Sequence, residues 1–146
     1  MIHREARATD LDAIVALLAD DPLGATRERP GDPAYARAFA AIAERPGDCV
    51  LVAEADGAVI ACLQLTLLPG LSRCGETRAQ IEGVRVASAW RGRGVGEALI
   101  RRALDRARAA GATLAQLTSD RSRADARRFY ERLGFEATHL GMKLRL

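Results

Sequence analysis

The sequence predicts a single α/β (α+β) domain organised around a central mixed sheet. Three observations carry this. Segments of period-two and period-3.6 hydrophobicity follow one another in the order β-α-α-β-β-β-α-β-α-β-β. The 146 residues are the length of one ordinary domain, and no repeat, linker or low-complexity stretch divides them. Apolar residues make up 49% and charged residues 28%, which supplies a core and lies outside the composition of disordered chains.

The elements follow in order. Ile2 to Ala6 reads as a first strand. Thr9 then offers an N-cap, with Asp10 and Asp12 in the first turn, before Leu11, Ile14, Val15, Leu17 and Leu18 at helical spacing. Asp20-Asp21-Pro22-Leu23-Gly24 ends that helix. A second helix runs from Pro33 to Glu44, with Tyr35, Phe39 and Ile42 on one side. Cys49 to Glu54 and Ala58 to Leu68 are strands joined at Asp56-Gly57, a strong hairpin signal. Ala79 to Val86 is the next strand. The helix that follows turns Ala98, Leu99, Ala103, Leu104 and Ala107 inward and is capped by Gly111. Leu114 to Thr118 is a strand, Ala124 to Leu133 a helix, and Phe135 to Leu140 and Met142 to Leu146 are expected as final strands.

Composition removes several classes of function. Aromatics are only 4%, which argues against a nucleic-acid surface of stacked rings. No apolar run approaches the roughly 20 residues needed to span a bilayer. The opening MIHREARATD holds no apolar signal core, so a cytoplasmic location is expected. Cys49, Cys62 and Cys74 are odd in number and lack CxxC spacing. With only His3 and His139 beside them, no metal site is expected. The net charge is +3, carried almost wholly by arginine, with Lys143 the only lysine. Arginine suits forked contacts to phosphate, but it is also what a GC-rich genome supplies without selection. The arginines therefore matter only where they stand beside something else.

They do so in one segment. The strand through Val84-Arg85-Val86 leads into Arg91-Gly92-Arg93-Gly94-Val95-Gly96 at the mouth of a long helix. A helix's first turn leaves amide N–H groups unpaired, and its dipole adds partial positive charge. Glycines admit a bulky anion to the backbone, and Arg91 and Arg93 can add charge-assisted bonds. The pattern favours a di- or polyphosphate. It is not GxxxxGK[ST], because no lysine precedes Lys143, and it fails GxGxxG because Glu97 stands at the third glycine. An ATPase and an ordinary nicotinamide enzyme are disfavoured.

Arg91 to Gly96 resembles the acyl-CoA pyrophosphate loop, Q/R-x-x-G-x-G/A, of the GNAT N-acetyltransferase superfamily. Ala126-Arg127-Arg128-Phe129-Tyr130-Glu131-Arg132-Leu133-Gly134-Phe135 is similar to that family's second hallmark, AxxFYxxxGF. The resemblance implies a mostly antiparallel sheet of about six or seven strands with about four helices, splayed where acetyl-CoA lies. It implies main-chain contacts from the Val84-Arg85-Val86 segment to the acetyl carbonyl and pantetheine, and from Arg91, Gly92, Arg93, Gly94, Val95 and Gly96 to the pyrophosphate. Many relatives carry asparagine seven positions before the tyrosine; here that position is Arg123, which could still reach a phosphate. Dimers through exposed strands are frequent in this family.

Acetyl transfer to an amine needs a base for the ammonium, a donor for the oxyanion and an acid for the leaving sulfur. Tyr130 is the candidate acid, since a phenol is protonated at neutral pH. Phe129 beside it reads as packing. Glu82 is the candidate base, directly or through water, as the only carboxylate inside the strand that feeds the loop. An ideal strand places it on one face with Val84 and Val86, and a bulge would change that. A plain ion pair of Glu82 with Arg85 or Arg78 is the competing reading. The expected activity is transfer of an acetyl group from acetyl-CoA, as cosubstrate, to a primary amine of a small molecule. A protein N-terminal or lysine acetyltransferase and a non-catalytic acyl-CoA sensor are the alternatives.

Overall fold

A computed structural model describes all 146 residues. Five strands, β1 (Ile2–Glu5), β2 (Cys49–Ala55), β3 (Ala58–Pro69), β4 (Thr77–Val86) and β5 (Leu114–Gln116), lie side by side in that order. The first three pairings are antiparallel and β4–β5 is parallel. The helices are α1 (Leu11–Ala19), α2 (Ala34–Ala43), the single turn α3 (Ser72–Gly75), α4 (Val95–Ala109) and α5 (Ala124–Arg132). The mixed α/β class is as expected.

The sheet is covered on both faces, and the alternation along each strand sorts its residues between them. On one face Leu51, Leu63, Leu65, Ala79 and Ile81 bury against Val95, Leu99, Ile100 and Ala103 of α4. On the other, Val52 and Cys62 bury against Ile14 and Leu17 of α1. Helix α2 buries no residue fully; Tyr35, Phe39 and Ile42 form its half-buried stripe, as their spacing predicts. Thr9 is not the cap of α1: it lies inside a 3-10 turn, Ala8–Asp10, and Asp10 takes the N-cap position. The Asp10 carboxylate accepts the Arg7 N–H at 2.6 Å and the fork of Arg4 at 2.7 and 3.0 Å. Arg4 also donates to Glu54, so one side chain ties β1, β2 and the start of α1 together.

Two features of the sheet position the site. The first is a bulge in β4. Cys62 faces Arg85 and Gln64 faces Glu82, so one extra residue enters β4 between them, with Gly83 at φ 60. The bulge reverses which way the strand's later side chains point. Val84 and Val86 therefore join Ile81 on the α4 face, while Glu82 and Arg85 share the α1 face with Cys62 and Gln64. The single-face grouping of Glu82 with Val84 and Val86 holds only for an unbulged strand and is not found.

The second is the short contact between β4 and β5. They pair only at Arg78↔Leu114, Ala79↔Ala115 and Gln80↔Gln116, after which β4 continues to Val86 with β3 as its one partner. The sheet opens there into a gap. The final strands expected at Phe135 to Leu140 and Met142 to Leu146 are absent, so the sheet has five strands rather than six or seven. A strand exists only by pairing, and residues 139–146 make no backbone hydrogen bond to any part of the chain.

Candidate active site

The gap is bordered on one side by the main chain of β4. The Ala87 N–H pairs with the Ile60 carbonyl at 2.8 Å on the β3 side. By strand alternation the N–H and C=O groups of Val84 and Val86 turn to the opposite, unpaired edge. Their carbonyls are taken: Arg85 Nη1 donates to Val84 O at 2.8 Å and Arg91 Nε to Val86 O at 3.0 Å. Their N–H groups face the gap.

Beyond a second 3-10 turn, Ser88–Trp90, the glycine-rich loop leads into α4. Gly94 is its N-cap at φ 77, Gly92 stands at φ 73, and no side chain caps the helix. The amides of residues 92–94 donate to no protein acceptor. A Cβ placed on Gly92 or Gly94 would meet nothing within 4 Å, so neither glycine is there for packing. Both supply left-handed backbone and an open approach to the amides. Gly96 differs. A Cβ there would lie 3.3 Å from Val86 and 3.5 Å from Phe129, so Gly96 lets α4 seat closely on β4 and α5.

The two loop arginines also differ. Arg91 is engaged with Val86 O and, at 3.3 Å, with Asp20 O, bracing the loop against β4 and the end of α1. Arg93 makes no ion pair and stacks its guanidinium 5.3 Å from the Trp90 ring centroid. A free cation, unpartnered amides and a helix N-terminus converge at one corner of the gap, which fits a diphosphate.

Tyr130, on α5, is half-buried and packs against the core on the α4 side of the sheet. Its ring packs edge-on against Phe129 (5.2 Å) and Phe135 (5.9 Å), while its hydroxyl has no protein partner. Burial pushes the phenol above its ordinary pKa of 10, against the opposing charges of Arg85 and Arg123. Phe129 packs against the α4 N-terminus, as expected of it.

Arg123 precedes α5 and spends its guanidinium on Asp21, at 2.7 Å. Asp21 lies in the turn after α1, with its side chain 9% exposed. It also accepts the N–H groups of Leu23 and Gly24 at Oδ1, and its Oδ2 lies 2.8 Å from Arg85 Nη2, out of line for a full hydrogen bond. Burial alone would raise this carboxyl. The Leu23 and Gly24 amides and the two guanidinium groups outweigh it and hold the pKa at about 2. A chain of charge thus runs from β4 through the α1 turn to α5. Nothing local in the sequence marked it, because its members stand at 21, 85 and 123.

The folded pKa of Asp21 lies below its ordinary value of 3.8, so its stabilisation is complete above about pH 5 and is lost as the pH falls toward 2. The loss should be on the order of 1–2 kcal/mol. Urea denaturation of the native chain and of Asp21→Asn at stepped pH reads it: the two stability curves should converge below pH 4. Parallel curves would show that Asp21 gains nothing from its partners.

Glu82 is exposed and pairs with neither Arg85 nor Arg78, leaving its carboxylate free at the gap. It heads a polar floor on the α1 face that the sequence reading missed. Gln116 Nε2 donates to Gln80 Oε1 at 2.8 Å, Arg78 donates to Gln116 at 3.4 Å, and Gln64 donates to Thr66 at 3.2 Å. The signal was available. Gln64 and Thr66 in β3, and Arg78, Gln80 and Glu82 in β4, are polar at every second position among apolar residues, which marks a solvated sheet face.

Other groups are set apart from this chemistry. Burial pushes the Cys62 thiol up to about 12, Cys49 is also buried, and Cys74 is exposed on α3. His139 is exposed, with Nδ1 2.6 Å from Thr138 Oγ1. No group of three or more His, Cys, Asp or Glu side chains is placed to hold a metal, and no helix is long and apolar enough to cross a membrane.

Known proteins share this fold. Residues 11–135 match the model of the acetyltransferase (GNAT) family. A solved structure of a Bacillus halodurans protein named as a transcriptional regulator is 44% identical, with 99% of each chain covered and a TM-score of 0.95. An Agrobacterium tumefaciens protein assigned as an acetyltransferase is 31% identical over 100% of both chains, with a TM-score of 0.85. A Clostridium acetobutylicum protein solved with acetyl-CoA shares the fold at 17% identity and a TM-score of 0.79, covering 99% of this chain and 95% of that one. No curated protein matches the sequence. With a matching family model over most of its length and a 31% identical relative assigned as an acetyltransferase over both whole chains, the chain belongs to the GNAT family of acetyltransferases.

Proposed function

We propose that this protein transfers an acetyl group from acetyl-CoA to the primary amine of a small polar molecule, by direct attack in a ternary complex. The observation that carries the reading is the set of unpartnered amides at 92–94, opening α4 beside the bare edge of β4. In this reading the loop from Arg91 through Gly92, Arg93, Gly94 and Val95 to Gly96 holds the diphosphate, with Arg93 as its free cation and Arg91 as a brace. The N–H groups of Val84 and Val86 hold pantetheine and polarise the acetyl carbonyl. Arg85 and Arg123 act through Asp21, fixing the gap's width, and a contact from Arg123 to the cofactor's phosphates would require it to leave Asp21. Glu82 takes the ammonium proton through water, as its exposure favours. Tyr130 gives its proton to the departing thiolate. The floor of Gln64, Gln80, Gln116 and Arg78 offers donors and acceptors to a polar acceptor. The Asp21 clamp across the gap favours a compact acceptor over a peptide.

Release of free thiol from acetyl-CoA, followed with a panel of amino sugars, amino acids, polyamines and short peptides, tests this. Turnover is expected with a small polar amine. Glu82→Gln should lower kcat by about 10²-fold and flatten the acidic limb of the pH–rate profile. The name of the Bacillus halodurans relative favours a second reading, a non-catalytic acyl-CoA sensor. Tight acetyl-CoA binding with no turnover on any amine would establish that reading in place of the first.

A further inference from the structure

Two opposite charges on the α1 face of the sheet have no counter-ion in the protein. Glu82 is one of them. Arg78, four residues earlier in β4 and half-buried, is the other: its one side-chain bond runs to the Gln116 amide oxygen at 3.4 Å. Glu76, two residues before it, is held by Thr113 and Arg73 instead.

The neutral groups between the two charges are polarised along the strand. Gln116 meets Arg78 with its oxygen and gives its amide N–H to Gln80 Oε1 at 2.8 Å. That leaves the Gln80 amide nitrogen free to donate. On β3, Gln64 Nε2 donates to the Thr66 hydroxyl at 3.2 Å, which leaves the hydroxyl proton and the Gln64 oxygen without partners. The register Gln64↔Glu82 and Thr66↔Gln80 sorts these groups into rows. The row of Glu82 and the Gln64 oxygen offers acceptors, and it is the row nearest Val84 and Val86. The row of Gln80 and Thr66 offers donors, and Arg78 beyond it offers more. One end of the floor suits an ammonium and the other an anion.

We infer that the acceptor amine carries a carboxylate or phosphate at its far end, and that Arg78 selects it. The inference rests on the acetyl-transfer reading and narrows its acceptor. The ammonium stands by Glu82 and the Gln64 oxygen, while the anion lies over Gln80, Thr66 and the Arg78 fork. Successive rows are about 7 Å apart, and Arg78 is about 13 Å from Glu82 along the strand. An α-amino acid, whose ammonium and carboxylate share one carbon, is too short to reach both rows. An amine with several carbons between its nitrogen and its anion is long enough.

Thiol release from acetyl-CoA with a matched series of amines tests this. The series is ε-aminocaproate, the amino alcohol of the same length, the phosphate ester of that alcohol, and the diamine of the same length. The two anionic amines should exceed the amino alcohol in kcat/KM by about tenfold or more, chiefly through KM, with the diamine poorest. The better of the two identifies the anion. Arg78→Gln should bring the ratio of anionic to neutral acceptor close to one, Arg78→Lys should restore part of it, and Arg78→Glu should turn the preference toward the diamine. Each ratio is taken on one protein, so a general loss of activity or stability cancels. If the variants fail to fold, the series on the native chain decides alone. Equal kcat/KM for anionic and neutral amines would overturn the inference and leave acetyl transfer standing, and so would a ratio that Arg78→Gln does not move. Thiol release with none of the amines would overturn the acetyl-transfer reading and the inference with it.

Discussion

Tyr130→Phe should lower kcat by about 10²-fold while leaving acetyl-CoA affinity within about twofold of native. The reasoning rests on what the hydroxyl does not do. It has no partner within the protein, so its removal breaks no hydrogen bond, and the ring keeps its edge contacts with Phe129 and Phe135. The melting temperature should hardly move. A loss of turnover without a loss of stability or binding then reports on the reaction alone. Burial keeps the phenol protonated beyond its ordinary range, so the native enzyme should hold its rate through pH 9 on this group's account. Unchanged kcat in the variant would remove Tyr130 from the chemistry and leave it a packing residue.

The second large effect is expected at the loop. Gly94→Val should weaken acetyl-CoA binding at least tenfold by titration calorimetry. A β-branched side chain at φ 77 costs about 1–2 kcal/mol of backbone strain, which the chain relieves by turning the peptide and carrying the neighbouring amides with it. Gly111→Val is the matched control. Gly111 has φ 87 and equally open surroundings, but it lies past the far end of α4. The control should lose similar stability and keep its affinity. If the two variants bind acetyl-CoA equally well, the amides at 92–94 are not the grip on the diphosphate.

What could be read from the sequence was local. Asp56-Gly57, the stripe of α4 and the loop from Arg91 to Gly96 are each specified by residues within a turn or two of one another. The turn and the loop are found, and the stripe is found at Leu99, Ala103 and Ala107, with Ala98 and Leu104 half-buried and Val95 and Ile100 buried beside them. Gly83 shows the limit of such reading. A glycine within a strand signals a bulge, but only pairing with Cys62 and Gln64 fixes where the extra residue goes and which face Glu82 takes. The Asp21–Arg85–Arg123 cluster was beyond reach because its parts meet only after three separate elements pack. The final segment was read from a sound period-two pattern, and failed as strands within one chain because alternation specifies a face and not a partner.

The extra residue at Gly83 has a bearing on how such a protein changes over generations. It divides one strand into two stretches with separate duties: Arg78, Gln80 and Glu82 look toward the polar floor, while Val84 and Val86 turn to the α4 side. On the proposed reading, substitutions at Arg78 and Gln80 retune which amine is accepted while Glu82 and the donor-binding stretch beyond the bulge stay as they are. A change of acceptor, on that reading, need not pass through a form that has lost its donor.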